Sequence, residues 1–551
     1  MTPATRHLPP ATCHLPLPMP YRDLRHFIER LEKAGELRRI TAPVDPQLEI
    51  TEITDRVSKG PAEQNKALLF ERVKGSDMPV LINALGNPRR MAWALGVENL
   101  NDLHDNLAKL IDLKLPQGFG PALGRAGDLV GALRSIGLKP SIVGKAPVQE
   151  VVKTGADATL AGLPILTCWP HDGGPYLTMT TVITRDPANN VRNVGMYRVQ
   201  VYDERTVGMH WQLHKGGAEH ERAARETRET RRGEVSSPPS PPSSSSPPSP
   251  PSSSSPSSPP SPSSPSSPSS SLPVAISLGG DPAVMWSGSA PLPPGIDEFL
   301  LAGWLRGKPV DLVRCVSQPL EVPAQAEIVI EGYVDPSESR LEGPFGDHTG
   351  FYTPPAPYPV LHITAVTHRR QPIYPTTIVG KPPMEDYWMG KATERLFLPL
   401  MKLFQGEIVD VNMPAAGVFH NLIFVSIKKR FPGHARKVIN GLWGLGLMML
   451  TKCIVIFDAE VDVQNEAEAL FHMFGNVDWG RDVIIQDGPV DALDHGSHHF
   501  AFGGKIGIDA THKLPEEGYT RGWPTPIAMS DEIKERVGRR WLQYGFGAAP
   551  G

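Results

Sequence analysis

Between Ser236 and Ser271 the chain contains nothing but serine and proline. Neither residue can build an apolar core, and each proline removes a backbone donor, so the tract predicts a disordered or polyproline-II segment. Whatever folds here is assembled from the sequence on either side of it, and 236–271 is an insertion rather than a domain. A docking tract for SH3- or WW-type partners is the functional alternative. The Ser-Pro alternation offers no distinct anchor residues, which favours low-complexity expansion of a surface loop.

The rest of the 551 residues is too long for one hydrophobic core, and two or three domains are expected. A net charge of -4, from 55 basic and 59 acidic residues, gives no general field for nucleic acid or an anionic membrane and suits a small-molecule substrate. The four cysteines, Cys13, Cys168, Cys315 and Cys453, are far apart with no CxxC, which argues against a disulfide framework or a thiolate zinc site and for a reducing cytoplasm. The most apolar run, Gly441 to Leu450, is cut by Thr451 and Lys452, well short of the roughly 20 residues that span a bilayer. Residues 1–18 have no apolar stretch of signal-peptide length and read as a disordered leader, with Met19 the expected start.

Hydrophobic periodicity divides the remainder into a mixed α/β and β architecture. Leu24, Phe27, Ile28, Leu31 and Ala34 recur at helical spacing before Gly35. A helical pattern at Ile50–Val57 and strand-like runs at 67–71 and 80–83 follow, which predicts an N-terminal α/β domain over 19–150. From 151 to 368 β-type runs dominate, at 179–184, 195–202, 326–334 and 360–366, and suggest a barrel or curved sheet interrupted by the insertion. Strand patterns at 422–427 and 453–457 alternate with helical ones at 395–402 and 434–450, giving a C-terminal α/β domain over 369–530 and then a helix and tail over 531–551.

Four strings carry candidate chemistry. In Asn193–Arg198 strand alternation sets Asn193, Gly195 and Tyr197 on one face and Val194, Met196 and Arg198 on the other; alone, this reads as an edge strand with a salt-bridged arginine. In Gly208–Gly217, Lys215 with Gly216 and Gly217 suits a phosphate, although His210, Trp211 and His214 are as readily core residues. Glu298, at the head of an apolar helical pattern, is either a first-turn glutamate favoured by the helix dipole or a metal ligand. With Asn and His it would form an oxygen and nitrogen set suited to Mn2+ or Mg2+. In Glu342-Gly-Pro-Phe-Gly-Asp-His-Thr-Gly350 two carboxylates flank a turn that can direct both toward one cavity. Close carboxylates split their pKa values, and Arg198 between them would fix which one holds a proton.

Taken in order, these strings, with Tyr21–Ile28, Gly35–Ile40, Val44–Ile53, Pro164–Pro170 and Lys505–Thr511, resemble the UbiD family of decarboxylases from about Met19 to Gly545. The resemblance implies a central split β-barrel of flavin reductase type between two α/β domains. It implies prenylated FMN with Mn2+ or another divalent metal such as Mg2+, and K+ as a further ion. Asn193, His214 and Glu298 fall on the family's metal ligands, with His210 the alternative imidazole. Met196, Tyr197, Arg198, His210, Trp211, Gln212, Lys215 and Gly216 fall on its cofactor-binding strands. Arg198, Glu342 and Asp347 match its catalytic arginine and acids. Some members carry Glu at the position of Asp347, and the insertion interrupts what the family keeps as a short connection. Loop-closure entropy grows only slowly with length, so the fold should tolerate it.

The function so implied is non-oxidative decarboxylation of an aromatic or conjugated unsaturated acid, the cofactor acting as electron sink and Asp347 as proton donor under the control of Glu342 and Arg198. A 4-hydroxy-3-polyprenylbenzoate of ubiquinone synthesis is the leading substrate, with a menaquinone-pathway acid or a simple phenolic acid as alternatives. A flavin prenyltransferase is the expected cofactor supplier and a homo-oligomer the expected assembly. The location is cytoplasmic, peripheral to the membrane if the substrate is polyprenylated. Two other classes compete: a flavin reductase-like oxidoreductase, for which no well-placed GxGxxG is present, and a non-catalytic scaffold presenting the Ser-Pro tract.

Overall fold

The computed structural model describes residues 21–114, 138–213, 215–235, 271–292, 296–525 and 527–547. The expected leader, Met19, the Ser-Pro tract up to residue 270 and His214 lie outside the described residues.

The first helix forms where its periodicity predicts. Over Leu24–Lys33 the side chains of Leu24, Phe27, Ile28 and Leu31 are buried on one face, and Asp23 caps the start by accepting from the His26 N–H at 3.1 Å. Behind it, Leu37–Ile40, Ala67–Phe70 and Val80–Ile82 form a sheet beside the helix Glu49–Lys59. Its fourth strand is Tyr374–Pro375, from far downstream, paired parallel with Val80–Ile82.

The central unit is a nine-stranded sheet. Its path runs Tyr176–Leu177, Val199–Val201, Thr206–Met209, Ala356–His368, Ile328–Glu342, Leu272–Leu278, Thr180–Arg185 and Arg192–Gly195, with Val151–Thr154 attached to Ala356–His368. Register shifts at Glu331/Gly332 and Val334/Ser339 interrupt the long pair Ile328–Glu342 and Ala356–His368, the kind of bulge that bends a sheet. Among the described residues the two outer strands do not pair, so the ladder is curved and open.

The hexapeptide Asn193–Arg198 is not the single strand that its alternation predicts. Arg192–Gly195 lies at one edge of the sheet and Val199–Val201 near the other, and Met196–Arg198 carries the chain between them. Backbone groups of that link are taken up off the ladder. The Met196 N–H donates to Gly288 O at 2.8 Å, the Tyr197 N–H donates to Thr180 Oγ1 at 3.3 Å, and the Thr180 hydroxyl donates to Tyr197 O.

The C-terminal unit is a five-stranded sheet in the order Ile408–Asn412, Leu422–Ile427, Cys453–Asp458, Phe502–Asp509, Val483–Pro489. Alternate side chains of its central strands feed two cores. Ile423, Val425, Ile454 and Ile456 pack with Val438, Ile439 and Leu442 of the helix His434–Trp443, and Phe424, Val455 and Phe457 pack with Ala469 and Met473 of the helix Glu466–Asn476. The expected helix near the end spans Asp531–Arg540. Among the described residues no helix is long and apolar enough to cross a membrane.

Candidate active site

The segment 193–198 and a second one, 210–213 with 215–217, lie side by side in opposite directions and meet at both ends. Asn193 Oδ1 sits 2.1 Å from where a Cβ on Gly216 would stand, the Gly217 N–H donates to the Tyr197 hydroxyl at 3.1 Å, and both Arg198 and His210 reach Glu342. One end of this pair is acidic and cationic, and the other is rich in buried polar atoms.

At the first end Glu342 closes the long strand Ile328–Glu342, and Asp347 follows the short strand Phe345–Gly346, which pairs with Tyr352–Thr353, so the expected Gly-Pro-Phe-Gly turn is displaced to the residues after Asp347. Arg198 lies between the two acids. Its Nε and Nη2 donate to Glu342 Oε1 and Oε2 at 2.9 and 3.0 Å, a bidentate pair, and its Nη1 donates to Asp347 Oδ2. The guanidinium also stacks 4.7 Å from the Phe345 ring centroid. The stretch between the acids is held from two sides: the Gly346 N–H donates to Asp172 Oδ1 in the loop before Tyr176, and the Gly343 N–H donates to Gln200 Oε1 on the strand Val199–Val201, both at 2.8 Å. A side chain at Gly346 would meet Trp169 Cδ1 at 2.3 Å, so this approach requires glycine.

Burial raises the pKa of both acids, but their partners outweigh it. Hydrogen bonds from His210 (Nδ1 to Oε2, 3.0 Å) and Arg198 hold Glu342 down to about 2. For Asp347, the His348 hydrogen bond and charge, with Arg198, hold the carboxyl well below the ordinary range. Conversely, His348 is raised by Asp347 despite its burial, with Nδ1 and Oδ1 2.8 Å apart. The two shifts together favour a carboxylate at Asp347 and a proton on His348.

At the second end Glu298 heads the helix Glu298–Arg306, capped by Asp297, so the first-turn reading of this residue is correct as far as it goes. Its Oε2 also accepts from the Val194 N–H at 2.9 Å, and burial pushes its pKa up to about 8. The Asn193 Nδ2 and Trp211 Nε1 atoms are buried without hydrogen-bond partners among the described residues. Desolvation lowers the pKa of Lys215, whose ammonium lies 5.8 Å from the Tyr197 ring centroid. A buried carboxyl, an orphaned amide and a glycine pair at the head of the helix Gly216–Val235 fit a bound cation and a phosphate.

Of the residues singled out in the sequence, Arg198, Glu342 and Asp347 come together with His210, while Asn193, Tyr197, Trp211, Lys215, Gly216 and Glu298 gather around the other end. Met196 sits on the link between them. Gln212 lies in the second segment, and His214 falls outside the described residues. Among the described residues no cluster of three or more His, Cys, Asp and Glu can hold a metal on its own. His210 is turned to Glu342 rather than toward Glu298.

Sequence reasoning missed Tyr358, whose hydroxyl is 3.5 Å from His210 Nε2, and the pair His420 and Asp386 near His348. Asp386 is the second residue of the helix Glu385–Phe404, and His420 follows two residues with positive φ, Val418 and Phe419. No local pattern in the sequence marks either as facing a site from another domain.

Residues 28–110, 141–236 with 265–382, and 387–510 match the N-terminal, Rift-related and C-terminal domains of 3-octaprenyl-4-hydroxybenzoate carboxy-lyase, the UbiD family. An uncharacterized protein of Aquifex aeolicus (strain VF5) is 48% identical over 527 residues, 96% of this chain and 99% of that protein. Among solved structures, the UbiD-class enzyme HmfF of Pelotomaculum thermopropionicum in complex with FMN is 28% identical with a TM-score of 0.71, covering 93% of this chain and 98% of that one. An evolved dimeric form of HmfF carries prenylated FMN (27% identity, TM-score 0.69, covering 93% and 98%). The vanillic acid decarboxylase of Sedimentibacter hydroxybenzoicus is 26% identical, with a TM-score of 0.77 in its closed form and 0.71 in its open form, covering 95% and 99%.

Proposed function

The chain belongs to the UbiD family of carboxy-lyases, and from that premise we propose that it decarboxylates a 4-hydroxy-3-polyprenylbenzoate of quinone biosynthesis without net oxidation, using prenylated FMN. The observation that carries this reading is the buried Glu342–Arg198–Asp347 constellation at one end of a segment pair whose other end suits a metal and a phosphate. Prenylated FMN, when bound, supplies the electron sink for the carbanion that loss of CO2 leaves behind. Arg198, with Glu342 ionised beneath it, presents a fixed cation to orient a carboxylate substrate, and Asp347 delivers the proton to the former carboxyl carbon. Asn193 and Glu298, with His214 as the third member, would hold Mn2+ or Mg2+. Lys215 and the backbone at Gly216 would meet the cofactor phosphate. A K+ ion has no assigned ligands.

Phe351 and Tyr352, 57% and 39% exposed just past the acidic turn, offer apolar surface to a polyprenyl tail and support this substrate. A phenolic acid is the second reading, favoured by the 0.77 TM-score to vanillic acid decarboxylase in its closed form. That score, above the 0.71 of the open form, also supports reading the present arrangement as closed. We read the open nine-stranded sheet as a split barrel. Exposed Leu470, Phe471, Phe474 and Trp479 on the C-terminal unit support a homo-oligomer. A cytoplasmic location would suit supply of the cofactor by a flavin prenyltransferase.

The test is to express the chain beside a flavin prenyltransferase, record the spectrum and mass of the bound cofactor, and screen prenylated hydroxybenzoates and simple phenolic acids for CO2 release. Release from the prenylated acids bears the proposal out. Release only from the simple acids selects the second reading, and a cofactor-loaded protein inert toward all of them refutes both.

A further inference from the structure

Behind Asp347, away from Arg198, lies a second titratable cluster that the decarboxylation scheme does not use. His348 Nδ1 faces Asp347 Oδ1 at 2.8 Å, and its Nε2 faces His420 Nε2 at 2.9 Å. The two rings meet edge to face with centroids 5.1 Å apart. His420 belongs to the C-terminal unit, on the turn that leads into the strand Leu422–Ile427. Val418 and Phe419 take φ of 54° and 44° there, a left-handed conformation that branched and bulky side chains adopt only when their surroundings hold them. Phe419 is wedged against His348, with ring centroids 5.4 Å apart, and closes tightly on Gly390, where a Cβ would lie 3.0 Å from its ring. The strained turn thus carries an imidazole from one unit onto the acidic turn of another.

The carboxylates around His348 favour one direction for this hydrogen bond. Two imidazole nitrogens 2.9 Å apart need one proton between them. His420 Nδ1 and the Oδ1 of Asn421 are both buried without a hydrogen-bond partner. With its proton on Nδ1, His420 offers a bare Nε2 that accepts from a doubly protonated His348. The charged and titratable groups around the pair agree. His348 is faced by Asp347 from its own turn, Asp386 from the helix Glu385–Phe404 and Asp491 from the segment after Val483–Pro489. His420 is faced by His348, Asp491 and Asp347. Burial and the neighbouring His348 charge lower His420 to about 4, which leaves it the neutral partner, while His348 is raised.

We propose that His420 is a positioning residue: by accepting from His348 Nε2–H it keeps His348 as an imidazolium, the proton reserve for Asp347. In the transfer the His348 Nδ1–H bond breaks as an O–H bond forms on Asp347 Oδ1, and the ion pair becomes a neutral pair. Asp347 then passes that proton to the product carbon, and His348 regains one at Nδ1 from water when the product leaves. The role in turnover rests on the decarboxylase reading above, whereas the protonation state does not.

The test uses the full chain purified with its flavin, as parent, His420→Leu and His420→Gln, the last of which retains an accepting oxygen. Imidazole titrations of 15N-histidine-labelled protein by NMR come first, because they require no substrate. The parent should show His348 charged and His420 neutral at pH 7. In His420→Leu the His348 pKa should fall by about one pH unit or more, the scale of a lost charge-assisted hydrogen bond, and His420→Gln should restore most of it. With vanillic acid and a prenylated 4-hydroxybenzoate as probes, the alkaline limb of kcat in His420→Leu should move down by the same interval with KM and flavin content unchanged. An unshifted His348 titration, a charged His420 at pH 7, or loss of flavin along with activity would each overturn the proposal. If neither acid releases CO2 the decarboxylase reading fails, and the titrations still decide the role of His420.

Discussion

Replacing Arg198 by Met keeps an apolar stem of similar length and removes the charge that two buried acids share. The Glu342 side chain is fully buried and that of Asp347 is 8% exposed, so neither can turn to water when the guanidinium goes. Breaking a buried pair by deleting one partner costs about 3–5 kcal/mol. For a unit the size of the central domain this is roughly 6–20 °C in melting midpoint. The penalty has a definite sign in pH. In the parent, Glu342 is depressed from 4.5 to about 2, so its contribution to stability is present above the ordinary carboxylate pKa and lost as pH falls toward 2. Without Arg198, Glu342 loses both guanidinium hydrogen bonds and the adjacent positive charge and its pKa rises, so the acid can escape the penalty by protonating. The destabilisation of Arg198→Met should therefore be largest near pH 7.5 and shrink by more than half near pH 4.5. Calorimetric melts of parent and variant at the two pH values measure it. A drop of under about 2 °C at pH 7.5, or an equal drop at both, would refute the claim that Arg198 compensates buried charge.

Three further outcomes follow from the site. Asp347→Asn should purify with a full complement of flavin and turn over at least about 10²-fold more slowly; near-normal turnover of the loaded variant would move the acid elsewhere. Glu298→Gln should lose divalent metal, by elemental analysis, and flavin in proportion, with no loss of thermal stability, because the amide relieves a carboxyl that burial already pushes up to about 8; stoichiometric metal in the variant would remove Glu298 from the ligands. Gly216→Ala sets a methyl 2.1 Å from Asn193 Oδ1, so flavin affinity should fall severalfold by fluorescence titration while the fold persists, and unchanged affinity would show that Asn193 is free to move aside.

The sequence made some of this legible and hid the rest for identifiable reasons. The helix Leu24–Lys33 and the strands Leu422–Ile427 and Cys453–Asp458 appear where period and composition set them, because each buries a face that its own pattern defines. The Glu342–Asp347 string suggested that both acids could face one cavity, but the placing of Arg198 with them came from the family resemblance and not from any local pattern. The break at Met196–Arg198 was not legible either, because its backbone partners, Gly288 and Thr180, lie elsewhere in the chain and no local pattern names them. The depressed pKa of Asp347 was hidden for a related reason: it depends on His348 and on Arg198, which lies 149 residues earlier in the chain and which only the fold brings to it.

The strand Tyr374–Pro375 gives the order of synthesis a part in folding. Val80–Ile82 is wholly buried, and one of its two edges is covered only when residue 375 has left the ribosome. Until then the nascent N-terminal unit displays an apolar strand edge of the kind that pairs with other chains. Arg90, fully buried and bonded to Glu36, Asn65 and Asn83, can hold the earlier strands together in the interval, but it cannot supply the missing edge. The first domain to be translated is thus among the last to be finished, and the long Ser-Pro tract is made while it waits.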